Sequence, residues 1–292
     1  MKKYVIGVDL GGTKISTAVA LPGGKMLYEK TIPTMAGQGP KKVIARIKAS
    51  IIEAAQKASI KMKDVSAIGI GVPGPIIPNK GIVKNPPNLK GWKRVPLRHI
   101  LSGAFSKKVF LENDANCAAL AELKFGAGKK FRNFVYVTVS TGIGGGIILD
   151  KKLFSGSTGT AGEVGHMTLE LDGPRCPCGK RGHFEGLACG PSFEKRTGRN
   201  PKLTGKLAGK GNRQAIRDIE ELGKLIGIGF SNIVNILNPE AIIVGGGLSN
   251  LGAPFFGSIR KTVASQALAP VKILPAKLKK NTGVLGAIAL CL

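Results

Sequence analysis

"KKYVIGVDLGGTKISTAVA", residues 2–20, is the stretch on which the fold turns. Val5, Ile6 and Val8 precede a Gly-Gly pair, and Ile15, Ala18 and Val19 follow it. Apolar residues on both sides of a turn signal predict strand, tight turn, strand. The pattern returns about 130 residues later as "FVYVTVSTGIGGGIILD", residues 134–150. A recurring unit of this kind predicts a duplicated α/β lobe. Two such lobes facing each other across a cleft would set the two Gly turns opposite one another.

The intervening segments read in the same way. "GKMLYEKTIPT" is a third strand. "GPKKVIARIKASIIEAAQKAS" carries Val43, Ile44, Ile47, Ile51, Ile52 and Ala55 at helical spacing. "VSAIGIGVPGPI" is a buried strand that runs into a Gly/Pro turn, and "NPPNLKGW" is loop. "KKVFLENDANCAALAELKFGAG" is a strand followed by a helix that Asn113 or Asp114 would cap. After the second Gly turn a long loop is expected. "NRQAIRDIEELGKLIGIGFSNIVNILN" is a long helix, "AIIVGGGLS" a strand ending in glycines, and "GVLGAIAL" a short closing helix.

The bulk properties narrow the class. The 292 residues are 43 % hydrophobic, enough to bury a core and too apolar for a disordered chain. No apolar run approaches the roughly 18 residues of a membrane span. The N-terminus begins like a signal peptide, but Asp9 and the glycines interrupt it, so the expected location is the cytoplasm. The five cysteines (Cys117, Cys176, Cys178, Cys189, Cys291) are odd in number and scattered, unlike a disulfide framework. The formal net charge is +27, from 44 Lys+Arg against 17 Asp+Glu. The basic residues are mostly dispersed pairs, aromatics are only 5 %, and no helix-turn-helix precedes the first strand. These features argue for a basic surface able to steer an anionic ligand, and against a dedicated nucleic-acid site.

The glycine turns suggest phosphate chemistry. In "DLGGTK", backbone N–H groups of Gly11 and Gly12 can cradle phosphate oxygens. Thr13 adds a hydroxyl, Lys14 a cation, and Asp9 a carboxylate suited to Mg²⁺ and its waters. An ordinary hairpin turn would use the same Gly-Gly pair. "STGIGGG", with Thr141 and Gly142, and "VGGGLS", with Gly246 and Gly247, repeat the chemistry and favour phosphate binding. None is a Walker A loop. In "ENDAN", Asp114 at a strand-to-helix junction is a candidate base for a substrate hydroxyl, with Asn113 a candidate hydrogen-bonder. Helix capping accounts for the same residues, and both roles can coexist.

In "CPCGKRGH", residues 176–183, two cysteines one residue apart precede His183, and His166 lies nearby. A metal clip, a Cys-x-Cys redox pair and a metal-free loop are all readings of it. The histidines favour the metal.

The motifs "DLGGTK", "GVPGP", "NPPNLKGW", "ENDANCAALAE", "STGIGGG", "GEVGH", "CPCGKRGHFE" and "VGGGLS", in this order from residue 9 to 249, resemble those of the ROK family of sugar kinases and related repressors. The resemblance spans essentially the whole chain. It implies an α/β chain of two ribonuclease-H-like lobes around a cleft, the actin-like ATPase/hexokinase fold. The expected division is a small lobe of residues 1–112 plus 281–292 and a large lobe of residues 113–280 carrying a zinc loop. By resemblance, Asp114 is the base that activates a sugar 6-hydroxyl. Gly74, Asn88, Asn113, Glu163, His166 and Glu185 line the sugar pocket. Gly11, Gly12, Thr13, Lys14, Thr141 and Gly142 clamp phosphates, Gly246 and Gly247 lie on the adenosine side, and Asp9 faces Mg²⁺. A homodimer is the expected assembly.

The family pattern at CPCGKRGH is a structural zinc held by one His and three Cys. Here His183 stands in place of the third Cys, so His166, Cys176, Cys178 and His183 form a Cys₂His₂ set. Such a closed site would staple the loop that carries Glu163 and Glu185, and would orient His166.

The expected activity is therefore ATP-dependent transfer of a phosphoryl group to a hexose 6-hydroxyl, glucokinase-like, as in glycolysis. N-acetylmannosamine, N-acetylglucosamine or fructose are alternative acceptors. A sugar-sensing regulator is the non-enzymatic alternative. Against it stand the retained "ENDAN" acid and a first strand that begins within a few residues, where the family's repressors carry a DNA-binding domain.

Overall fold

The structure is a computed structural model that describes residues 4–86 and 88–292. Met1, Lys2 and Lys3, which head the opening stretch, and Pro87 of NPPNLKGW lie outside the described residues. The chain forms two compact units. One comprises residues 1–129, 153–161 and 278–292, and the other residues 130–152 and 162–277.

In the first unit, β1 (Tyr4–Leu10) and β2 (Lys14–Ala20) form the expected hairpin, with Asp9 opposite Ser16 and Leu10 opposite Ile15. The Gly11 N–H donates to Lys14 O at 2.8 Å and closes the turn. Strand β3 (Met26–Pro33) pairs antiparallel with β2. After α1 (Gly39–Lys57), strand β4 (Val65–Val72) pairs parallel with β1. A small hairpin of β5 (Ile76–Ile77) and β6 (Ile82–Val83) and helix α2 (Leu97–Phe105) lead to β7 (Lys108–Asn113), parallel to β4. Helix α3 (Asp114–Phe125) follows at once. The sheet order is β3-β2-β1-β4-β7.

The second sheet repeats this plan with β8 (Phe134–Val139), β9 (Ile143–Leu149), β10 (Lys152–Phe154), β11 (Ala241–Gly245) and β12 (Lys272–Pro275). The order is β10-β9-β8-β11-β12, with β8–β9 antiparallel and β8–β11–β12 parallel. The repeat read from two hairpins thus extends over five strands in each sheet, the ribonuclease-H-like arrangement. Short helices α4 (Phe184–Ala188), α5 (Gly190–Thr197) and α6 (Pro201–Gly209) precede the long α7 (Arg213–Leu237) and α8 (Ala253–Gln266). Helix α9 (Thr282–Ala289) returns to the first unit.

Burial explains which elements the sequence displayed. Helix α1 sinks Val43, Ile44, Ile47, Ile51 and Ala55 into one core with Ile6, Val8, Leu10 and Ile68. Ile52, assigned by spacing to that stripe, lies on the helix flank and is 46 % exposed. The opposite sheet face carries Val5 and Ala18 against Val284, Leu285 and Ile288 of α9. Helices α5 and α6 fall in the expected long loop. Each buries a single side chain, Phe193 and Thr204, so no apolar period announces them.

The compact division falls after residue 129, whereas the sequence predicts it before residue 113. Helix α3 packs against α9 and belongs with the first sheet. Glu122 anchors that packing. It is fully buried, and its carboxylate accepts from Ala127 N at 2.6 Å and Leu278 N at 2.8 Å. Glu122→Ala strands both N–H groups and is expected to cost about 2–4 kcal/mol. Urea unfolding measures this, and a loss below about 0.5 kcal/mol would show that the anchor is dispensable.

Candidate active site

In the first unit the chemistry gathers at the C-terminal ends of β1, β4 and β7. Register places Asp9, Gly71 and Glu112 side by side. Burial of the Asp9 carboxyl, which is half-exposed by surface area, raises it above the usual value, while Lys14 pulls it back down. Its carboxylate reaches the start of α9, where only a glycine, Gly283, leaves room for it. In the turn, Gly11 and Gly12 do not adopt positive φ. Gly12 is required for another reason: a Cβ there would lie 2.6 Å from Asn88 Cβ. Asn88, expected beside the sugar, thus packs on the Gly11–Gly12 turn. Thr34, which sequence reading missed, latches this turn: it donates from Oγ1 to Gly11 O at 2.7 Å and from N to Thr13 O at 2.9 Å.

Asp114 is exposed at the first position of α3, with Oδ1 accepting from Ala115 N at 2.8 Å. Asn113 caps the helix: Oδ1 accepts from Ala115 N and Asn116 N, and Nδ2 donates to Gly74 O at 3.1 Å. It ties Gly74 to the start of α3 and keeps one amide hydrogen for another partner. Behind it, buried Glu112 accepts from Asn113 N at 2.8 Å and Asn116 Nδ2 at 3.0 Å. Nothing in the local sequence pattern marks Glu112 for this anchoring role.

Burial raises the Glu112 carboxyl above its ordinary 4.5, outweighing these two hydrogen bonds. A raised acid pKa means that the folded state holds its proton longer than the unfolded state. Stability is therefore lost as pH climbs from 4.5 through the folded value, and the penalty persists above it. Glu112→Gln keeps an acceptor for both donors and removes the charge. It is expected to be more stable than the parent at pH 7 and to lose that advantage below about pH 4.5. Denaturation at both pH values tests this, and a destabilised variant at pH 7 would overturn it.

In the second unit, the Ser140–Gly142 turn closes with Ser140 N donating to Gly142 O at 2.9 Å. Glu185 Oε2 accepts from Ile143 N at 2.8 Å and sits so close to Gly142 that a Cβ there would be 2.5 Å away. Gly246 has φ 84° and packs on the Val139 backbone, a position that only glycine fills without strain. Thr141 and Gly247 line one cavity of about 830 Å³, with Leu248, Asn250, Lys202 and Lys206. The second and third Gly turns, far apart in sequence, therefore serve one pocket.

His166, Cys176, Cys178 and His183 also converge, with ligand atoms all within 4.8 Å of one another. His166 Nδ1 lies 3.3 Å from His183 Nδ1 and 3.9 Å from Cys176 Sγ, and Cys178 Sγ lies 3.3 Å from His183 Nδ1. The edges of a tetrahedron with zinc–nitrogen and zinc–sulfur bonds are about 3.3–3.8 Å. The donor set and its spacing fit that ion. His166 Nε2 points away, 3.8 Å from Glu163 Oε2. Glu185 Oε1 lies 3.7 Å from Cys176 Sγ, so one carboxylate spans the cysteine loop and the 140–142 turn. Phe184 packs edge-on against Phe230 of α7, seating this loop on the long helix.

A family model of the ROK family matches residues 5–292. The chain belongs to the ROK family. A glucokinase of Thermotoga maritima is 34 % identical over 313 residues, covering 99 % of this chain and 97 % of the relative. A xylose repressor of Caldicellulosiruptor bescii is 34 % identical over 309 residues, covering 98 % of this chain and 77 % of the repressor. A ROK glucokinase from Streptomyces griseus, solved with glucose and AMPPNP, superposes with TM-score 0.83 at 30 % identity, covering 98 % of each chain. Membership accounts for the paired sheets, which carry the actin-like ATPase fold. Among the described residues of this ROK protein, no helix is long and apolar enough to cross a membrane.

Proposed function

We propose that the chain is an ATP-dependent hexose kinase that transfers the γ-phosphoryl group to a sugar 6-hydroxyl, with glucose as the first acceptor to test. The observation that carries this reading is Asp114, an exposed carboxylate at a helix start fixed by the Asn113 cap and the buried Glu112. The glucokinase relatives support the activity, and the AMPPNP complex supports the donor.

In the reaction, Asp114 takes the hydroxyl proton as the sugar oxygen attacks the γ-phosphorus. Gly11, Gly12, Thr13 and Lys14, with Thr141 and Gly142, hold the phosphates, and Gly246 and Gly247 border the adenosine. Gly74, Asn88, Asn113, Glu163, His166 and Glu185 position the sugar. Asn113 and Glu185 do so with the polar atoms that their protein partners leave over. Asp9 would hold Mg²⁺, which neutralises phosphate charge when bound. His166 through Nδ1, Cys176, Cys178 and His183 would hold a structural zinc, leaving His166 Nε2 to Glu163 and the substrate. Glycolytic use of glucose in the cytoplasm follows from this reading.

A sugar-sensing regulator is the second reading, favoured by the xylose repressor relative. ADP release from ATP–Mg²⁺ separates the two. The panel is glucose, mannose, fructose, N-acetylglucosamine, N-acetylmannosamine and buffer alone. A sugar-dependent signal is expected, largest with glucose. A flat panel from folded, metal-replete protein would overturn the kinase.

A further inference from the structure

One carboxylate reaches both the cysteine loop and the Ser140–Gly142 turn. Glu185 is the second residue of α4. Its Oε2 accepts from Ile143 N at 2.8 Å, and Ile143 is the residue that leaves the turn and opens β9. Its Oε1 lies on the side of the cysteine loop, 3.7 Å from Cys176 Sγ. A thiol is a weak donor, and weaker still at that distance, so Oε1 keeps acceptor capacity for another partner. Glu185 is half-buried, which leaves this oxygen open to a ligand hydroxyl.

The chain around Glu185 is held on both sides. His183 belongs to the His166–Cys176–Cys178–His183 cluster, and Phe184 is fully buried against Phe230. Further on, Gly190 donates from N to Ser140 O at 2.7 Å. Residues 183–190 therefore grip the turn at its two ends, Ile143 through Glu185 and Ser140 through Gly190. The fit is close, since a Cβ on Gly142 would lie 2.5 Å from Glu185 Oε2. None of these contacts uses the N–H groups of Thr141 and Gly142, which stay available to phosphate oxygens.

We propose that Glu185 couples the two substrates to each other, a role that rests on the kinase reading. A sugar hydroxyl that donates to Oε1 fixes the carboxylate. The fixed carboxylate holds Ile143 N and sets the turn in the form that binds the nucleotide's phosphates. Whichever substrate arrives first orders this contact, so the second binds more tightly. By linkage the gain is equal in either order. Glu185 is thus a positioning residue for the phosphoryl donor as well as a sugar contact.

The test is calorimetry on the metal-replete protein, with the acceptor that gives the largest ADP release. The Kd of AMPPNP–Mg²⁺ is measured with and without saturating sugar, and the Kd of the sugar with and without AMPPNP–Mg²⁺. Each ligand is expected to tighten the other about tenfold, by the same factor. Glu185→Asp keeps the charge but is one methylene too short to span Ile143 N and the sugar. It is expected to bring the factor to within about twofold of one while each ligand still binds. Gly142→Ala disturbs the same contact from the turn, by driving a methyl group into Oε2, and is expected to do the same. Retained metal content in both variants separates this result from loss of the loop. A factor near one in the parent protein, with both ligands bound, would overturn the coupling and leave the kinase standing. A tenfold factor that survives both substitutions would take Glu185 out of the role. Sugar binding without any binding of AMPPNP–Mg²⁺, in either order, would sink the kinase reading itself.

Discussion

Asp114→Asn is expected to lower kcat by about 10²–10⁴-fold and to leave the sugar Kd within about twofold. The two side chains have the same shape, so the amide oxygen can keep the bond that Oδ1 accepts from Ala115 N. The Asn113 cap, its bond to Gly74 O and the Glu112 anchor do not involve the substituted atoms. What is lost is the capacity to take a proton. The negative charge at the first position of α3 also disappears, at a cost to stability of about 0.3–1 kcal/mol. Sugar binding by calorimetry and phosphoryl transfer by ADP release therefore separate. Near-normal turnover would remove Asp114 from the role of base. Loss of sugar binding with unchanged kcat would make it a substrate-positioning residue.

Removing metal from the His166–Cys176–Cys178–His183 cluster is expected to lower the melting temperature by about 5–10 °C. An ion bound at a thousandfold excess over its Kd contributes about 4 kcal/mol to the folded state, and each kcal/mol moves the midpoint by roughly 2 °C in a chain of this size. Backbone hydrogen bonds such as Leu169 N to Gly182 O and Cys176 N to Lys180 O hold the loop to itself, but it buries little apolar surface. Most residues from Thr168 to Arg181 are exposed, and Leu171 is 83 % exposed. The same loop leads into Glu185, which holds the 140–142 turn through Ile143 N. Stripping the ion is therefore expected to loosen nucleotide binding as well as to lower stability. Purified protein should hold about one equivalent of zinc, and cobalt in its place should show the spectrum of a tetrahedral S₂N₂ site. Cys178→Ser should weaken retention, whereas His183→Cys should retain the ion, because thiolate and imidazole are both good ligands. Protein without stoichiometric metal, and with a midpoint indifferent to chelator, would overturn the site. A Cys176–Cys178 disulfide found by mass spectrometry would turn it into a redox pair.

The sequence by itself determined the elements whose burial is periodic or complete. The β1–β2 and β8–β9 hairpins, α1, α7 and α9 each write their packing into neighbouring residues, because one face or both must leave water. It also placed the glycine turns and the Asp114 helix start, since close backbone approach and capping need particular residues at adjacent positions. Tertiary structure decided what depends on partners distant along the chain. Gly12 is small because Asn88 presses on it, and Gly142 because Glu185 does. Thr34 latches a turn more than twenty residues before it. Glu122 binds the backbone N–H of Leu278, which draws α3 to the first unit. Local patterns report what each residue owes its neighbours in the chain and to water. Contacts across the fold leave no such period, because either partner is an ordinary residue until the backbone brings the two together.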